Sequence, residues 1–570
     1  MFCARLLIPA IALVVFLVVS LSISGAAADP NMTPRALKFI REHEKNVKPI
    51  EIAINRAWWD ANTTGRKEDF DRKEYMQNRL DAELSDRKTF AELKTIKEHS
   101  ADLEADVTRR TIEVLYLQYL EKQVDPKVLQ KINAKANAVE KAFNIFRAKV
   151  DGREMTDNEV RDILKTSKDS ARLKAVWEAS KDVGKVLEAD LKELVKLRNE
   201  AATQLGFKNY HALQLYLNEQ DGEQLIKLFN ELDALTRVPF SDAKKEIDAK
   251  LAANYRIPEN ELRPWHYHDP FFQETPAIFA TDLDAPFRST DLRKLVTKFY
   301  EGIGLPIDSV IPRSDLDEHP KKNPHAFCID IDREGDVRVL ANIQQDNRWA
   351  STLLHEFGHS VYSTNNHNIP HWLPYPIRLE AHILTTEGVA MMFERLSKRS
   401  AFLKQMGVKL QDEKAYDEAG ARALRMQLLV FSRWCQVMLR FEKSMYENPS
   451  QDLNKLWWDL VEKYQMVKRP DGRSSPDYAS KIHIVSAPVY YHNYMMGELF
   501  ASQLHHAIAR DVYKGADAAT VVYVDNKEVG GFMKKKVFEK GRLLPWDALT
   551  KEATGDTLNP KAFAEDFKTK

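Results

Sequence analysis

Little of this chain is suited to tight turns or cross-links. Glycine accounts for 20 of 570 residues, about half the usual ~7% share, which argues against a turn-rich all-β protein and for helices. Only three cysteines occur, too few for a disulfide scaffold or a four-cysteine zinc module. Neither charge sign is in excess, since 84 Lys plus Arg balance 84 Asp plus Glu, so composition gives no support for a nucleic-acid or strongly charged partner. No low-complexity linker and no fixed-period repeat divides the chain. What is present is 44% hydrophobic residues, with 10% aromatics, enough to bury a large core and exclude disorder. The length alone would allow several domains of ~150 residues. The missing linkers favour one mostly α-helical body of two lobes.

The N-terminus reads as a targeting segment. Arg5 precedes an apolar run over residues 6–23, and the small residues Gly25, Ala26, Ala27 and Ala28 follow, the layout of a secretory signal with a small-residue cleavage site. Residues 1–28 are therefore expected to be a signal peptide, with residues 29–570 forming one catalytic domain. The alternative is an uncleaved membrane anchor, because the run nearly spans a bilayer. Export would leave a periplasmic or secreted protein with no membrane segment. Cys3 would leave with the signal, and Cys328 and Cys435 could pair or remain thiols.

From Pro34 to about Asp308 the pattern is nearly all helical. Leu187, Leu191, Leu194, Ala201 and Leu205 share one face before Gly206, a C-terminal stop. Leu225, Leu228, Leu232 and Leu235 repeat the stripe, and Pro239 is expected to end that helix. Residues 327–332 and 337–341 read as a β-hairpin around the turn Arg333-Glu334-Gly335-Asp336. Asp346 or Asn347 then caps a new helix.

That helix carries His355-Glu356-Phe357-Gly358-His359. Histidines at i and i+4 stand one turn apart on one face, so both imidazoles can reach a single zinc ion, and Glu356 can serve as base for the attacking water. A third ligand is needed. Glu380, Glu387 and Glu394 are candidates on a helix expected after Pro376; small and apolar neighbours favour Glu387, Glu380 is the alternative, and Glu394 is assigned to a supporting or surface role. Donors for a developing oxyanion are also required. Lys481, His483, Tyr490, Tyr491 and Tyr494 supply a cation, an imidazole and phenols within 14 residues, and His325-Ala326 opens the hairpin where an extended peptide could pair with the strand edge.

These residues resemble the zinc peptidase family of angiotensin-converting enzyme, peptidyl-dipeptidase A, with local similarity to oligoendopeptidase F and thimet oligopeptidase. Ala57-Trp58-Trp59-Asp60-Ala61-Asn62-Thr63, the segment from Trp177 to Gly184, and Trp457-Trp458 with Lys463-Tyr464-Gln465 resemble ordered segments of the converting enzymes. The resemblance implies a helical gluzincin fold with a deep central cleft and a small hairpin beside the HExxH helix. It implies one zinc ion on His355, His359 and Glu387, with Glu356 as general base, and His483 and Tyr494 at the oxyanion. It also implies substrate contacts from His325, Ala326, Lys481 and Tyr490. The tyrosine register is displaced by one residue, so Tyr491 could stand in for Tyr490. His492 replaces the family's chloride-binding arginine, so chloride activation is not implied.

The sequence thus points to an exported, monomeric, zinc-dependent peptidase that acts on short peptides and releases C-terminal dipeptides. The alternatives are an oligoendopeptidase cutting internally and a zinc-free binding protein on the same fold. Asn31-Met32-Thr33 and Asn62-Thr63-Thr64 are glycosylation sequons.

Overall fold

The computed structural model describes residues 31–276, 278, 281–366 and 374–566. The expected signal at 1–28 lies outside them. Helices dominate, and two two-stranded sheets are the only sheets among the described residues. The helices Met32–Thr64, Lys67–Leu84, Arg87–Glu98 and Asp106–Leu120 enclose a small core of their own that includes Phe39, Leu84, Leu93, Ile112 and Tyr119. Most of the remaining chain shares one larger core. Among the described residues no helix is long and apolar enough to cross a membrane.

The leucine stripe lies on the helix Ser170–Gln204 with Leu187, Leu191, Leu194 and Ala201 buried. Gly206 at φ 83° ends it, and Phe207 N donates back to Ala202 O at 3.0 Å, a glycine-dependent C-terminal cap. The expected stop at Pro239 does not occur. The helix Gly222–Tyr255 runs through it because Phe240, Ala243, Ile247 and Leu251 continue the buried face set up by Leu225, Phe229 and Leu232. An interior proline costs about 3 kcal/mol, whereas each large apolar side chain buried contributes about 1.5–3 kcal/mol. Packing therefore outweighs the missing hydrogen bond.

The helical reading fails between this helix and Leu292–Gly302. Only the single turns Glu259–Glu261 and Pro264–His266 are helical there among the described residues, because Pro264, Pro270 and Pro276 interrupt the backbone ladder. A second hairpin, Ala148–Val150 with Arg153–Met155, was also not anticipated. Its turn residues Asp151 and Gly152 both have positive φ, as an Asp-Gly hairpin turn requires.

The expected hairpin is present as Phe327–Asp330 paired with Val337–Leu340, Phe327 opposite Leu340. Asp315 bridges the far side of Leu340, so the edge of the Phe327 strand is the one left unpaired by any strand among the described residues. Asn62, at the end of the first helix, holds the loop before it. Its backbone and side-chain oxygens accept from Asn323 N and Nδ2 at 2.8 and 2.7 Å. Asn62 is buried, so this sequon has no room for a glycan in the folded chain. Both described cysteines are free thiols.

Three helices pack backbone to backbone around the HExxH segment. A Cβ on Gly358, in the helix Asn347–Asn366, would stand 2.8 Å from Ala390 Cα in the helix Ile383–Glu394; one on Gly388 would stand 2.8 Å from Gly497 O in the helix His492–Asp511. Gly358→Ala is therefore expected to destabilise the fold by about 1–3 kcal/mol through overpacking, read as a lower thermal unfolding midpoint. An unchanged midpoint would show slack at this helix pair.

Candidate metal centre and peptide groove

The HExxH helix starts where Asp346 Oδ1 accepts from Trp349 N at 2.7 Å, which selects Asp346 over Asn347 as its cap. In residues 347–360 only Arg348, Ser351, Thr352, His355 and His359 escape full burial, a single accessible stripe at helical spacing. Glu387 comes from the neighbouring helix Ile383–Glu394. Glu380 does not. It lies in the turn before that helix, where its carboxylate accepts from Ser363 Oγ at 2.9 Å, so the common face expected for Glu380 and Glu387 does not exist. An extended His382 stands between them, and the helix begins only after it, at Ile383.

His355 Nε2 and His359 Nε2 stand 3.1 Å apart. Glu387 Oε2 is 3.4 Å from the first and 3.7 Å from the second. Among the described residues these three form a group that could hold a metal ion, with donor atoms within 4.8 Å of one another. The outer nitrogens are already engaged. His355 Nδ1 bonds Glu394 Oε2 at 2.6 Å, and His359 Nδ1 bonds Thr386 Oγ1 at 2.7 Å. With the outer nitrogens so held, both lone pairs turn to the same point. Glu387 Oε2 is buried without a hydrogen-bond partner, a cost that a cation at this point removes. Two imidazoles and one carboxylate suit zinc. Glu356 is buried beside them, and burial is the main reason its carboxyl is raised to about 7.

Tyr490 and Tyr491 precede the helix His492–Asp511 and Tyr494 lies in its first turn. Tyr494 OH lies 3.3 Å from His483 Nε2. Burial, with Lys481 and His325 adding, holds the His483 imidazole well below its usual range and therefore neutral, and its Nδ1 is buried without a partner. Burial also raises the phenols of Tyr490, Tyr491 and Tyr494 far above their ordinary range, so all three remain O–H donors. Tyr490 does not stand beside Lys481. Its hydroxyl donates to Glu387 Oε1 at 2.8 Å, and the phenol next to Lys481 is that of Tyr491, whose ring centroid is 5.2 Å from Lys481 Nζ. His492 is buried on Gln220, with Nε2 2.8 Å from Oε1.

Lys481 Nζ donates to Gln273 Oε1 at 2.7 Å, and Tyr491 OH donates to the same oxygen at 3.4 Å. Phe271 and Trp434 line the ammonium at 5.2 and 5.5 Å. Burial lowers its pKa to about 8. Gln273 was missed by the sequence reading because it sits in the proline-rich stretch taken as helical. Asp269 fixes that stretch by accepting from Phe271 N and Gln273 N at 3.2 and 2.6 Å. The run of three prolines among aromatics was the available signal. His325 is exposed at the start of the hairpin, its ring 6.5 Å from that of Phe143, and Ala326 is partly buried.

A helix bearing HExxH, joined by a glutamate from the next helix and flanked by a hairpin, gives this chain the residue set of a single-metal site on a helical scaffold. A family model described as angiotensin-converting enzyme matches residues 31–249 and 284–569, and the chain belongs to that family. It is 24% identical over 502 residues to angiotensin-converting enzyme-like protein Ace3 of Mus musculus, covering 79% of this chain and 65% of that protein. It is 22% identical over 442 residues to angiotensin-converting enzyme of Mesocricetus auratus, covering 72% and 33%. It is 23% identical over 448 residues to an angiotensin-converting enzyme-related protein of Drosophila melanogaster, covering 72% and 69%. The chain thus spans less than two thirds of the length of the first two. Gln273 lies in the stretch the family model leaves unmatched.

Proposed function

We propose that this chain is a single-zinc peptidase that releases dipeptides from the carboxyl ends of short peptides. The reading of residues 1–28 as an export signal, with residues 29–570 as one catalytic domain, belongs to the same proposal. The observation that carries it is the pocket of Lys481, Gln273 and Tyr491. A buried ammonium with an amide and a phenol beside it is suited to a free carboxylate, and it lies two residues from His483, whose partner Tyr494 borders the metal centre.

Zinc held by His355, His359 and Glu387 supplies Lewis-acid polarisation of the scissile carbonyl and of the attacking water when bound. Glu356 takes the proton from that water and passes it to the leaving amine nitrogen. Tyr494 O–H and the His483 ring donate to the oxygen where negative charge develops. The free edge of Phe327–Asp330, entered at His325-Ala326, pairs with the backbone of an extended peptide. Lys481 receives the terminal carboxylate and fixes how many residues follow the cut.

Lys481→Ala tests the last step. Losing one partner of a charged hydrogen bond costs about 1.5–3 kcal/mol, roughly ten- to hundredfold in kcat/KM for free-acid peptides. Amidated peptides, already poor substrates, should change little. The pH dependence follows from the same group. The Lys481 ammonium is charged at low pH and lost as pH rises through about 8, so kcat/KM for free-acid peptides should fall above that pH and amidated peptides should lack the limb. Equal cleavage of amidated and free peptides by the wild type would reject this reading in favour of internal cutting.

A further inference from the structure

We propose that Tyr490 is a positioning residue for Glu387, holding one carboxylate oxygen so that only the other is offered to the metal. The inference rests on the metal-site reading above and extends it to a residue outside the ligand set. The two oxygens of Glu387 have different surroundings. Oε1 accepts from Tyr490 OH at 2.8 Å, whereas Oε2 faces the two histidine Nε2 atoms and has no hydrogen-bond partner. A carboxylate held through one oxygen by a phenol O–H cannot rotate without breaking that bond. A carboxylate free to rotate can instead chelate through both oxygens and occupy a position that a reactant needs.

The backbone explains how a phenol arrives there. Val489 has φ 57°, a left-handed conformation that a β-branched residue adopts only when its surroundings impose it. Its N–H donates to Glu442 Oε1 at 2.9 Å, and Glu442 is buried on the long helix Glu413–Glu447. The anchored left-handed turn precedes two consecutive tyrosines with separate targets, Tyr490 on Glu387 and Tyr491 on Gln273. One strained residue thereby feeds the metal centre and the carboxylate pocket from adjacent positions. Tyr490 acts through Glu387 and is not itself a group that touches substrate.

The test uses the full chain with Tyr490→Phe, which keeps the ring and removes only the hydroxyl. Zinc affinity, measured by competition with a chelator, is expected to fall about ten- to hundredfold, the usual effect of losing a partner that orients a ligand. The visible spectrum of the cobalt-substituted variant is expected to weaken toward that of a higher-coordinate site. Tyr491→Phe is the control and should leave both metal readouts at wild-type values while raising KM for free-acid peptides. Wild-type zinc affinity together with a wild-type cobalt spectrum in Tyr490→Phe overturns the inference alone. A wild-type chain that takes up neither metal overturns the metal-site reading and this inference with it.

Discussion

Glu356→Gln is expected to lower peptide turnover by about 10²–10⁴-fold, the usual contribution of a positioned general base, while zinc content stays at one per chain. The amide retains the size of the carboxylate but cannot take the proton from water. Glu356 contributes no atom to the group formed by His355, His359 and Glu387, so the metal should remain. Metal analysis and a peptide assay on the same preparation check both halves. Substantial residual activity would remove Glu356 from the mechanism, and loss of zinc would mean that it supports the metal.

Glu387→Ala and Glu380→Ala should part company. The first removes one of three donors and leaves two imidazoles, so zinc affinity should fall by more than the ~10–100-fold that outer partners cost, and activity should fall with it. The second removes only the carboxylate that accepts from Ser363. It should spare the metal, with its cost appearing as a modest loss of stability, about 0.5–1.5 kcal/mol for a hydrogen bond. Zinc content after dialysis decides. Retention by Glu387→Ala with loss from Glu380→Ala would reverse the ligand assignment.

The candidate metal site was the most legible part of the chain because the grouping of its two histidines is local. His355 and His359 are fixed by helical periodicity alone, and the small and apolar residues around Glu387 are those of a helix wedged between two others. Glu380 looked equivalent only while the helix was assumed to begin near Pro376. The turn at Tyr375–Ile377 delays it to Ile383, and no periodicity rule reports such a delay. Pro239 misled in the opposite sense, since a local penalty was outweighed by burial that sequence spacing does not measure. The tyrosine register depended on Val489, whose φ is set by a buried carboxylate 47 positions away. Gln273 and Lys481 are 208 positions apart, and a contact of that span leaves no periodic trace.

The glycines at 358, 388 and 497 also limit how the molecule can move. Helices that touch through backbone have no layer of side chains between them to rearrange, and close-packed interiors deform in discrete steps rather than smoothly. The helices carrying His355, Glu387 and Tyr494 therefore behave as one block, with the spacing of the metal donors built into it. The N-terminal helices differ: they have their own small core and meet the hairpin through side chains, such as Trp58 on Phe327, 4.3 Å between ring centroids. Room for side chains to rearrange is thus left to the N-terminal stretch and withheld from the three helices of the candidate site.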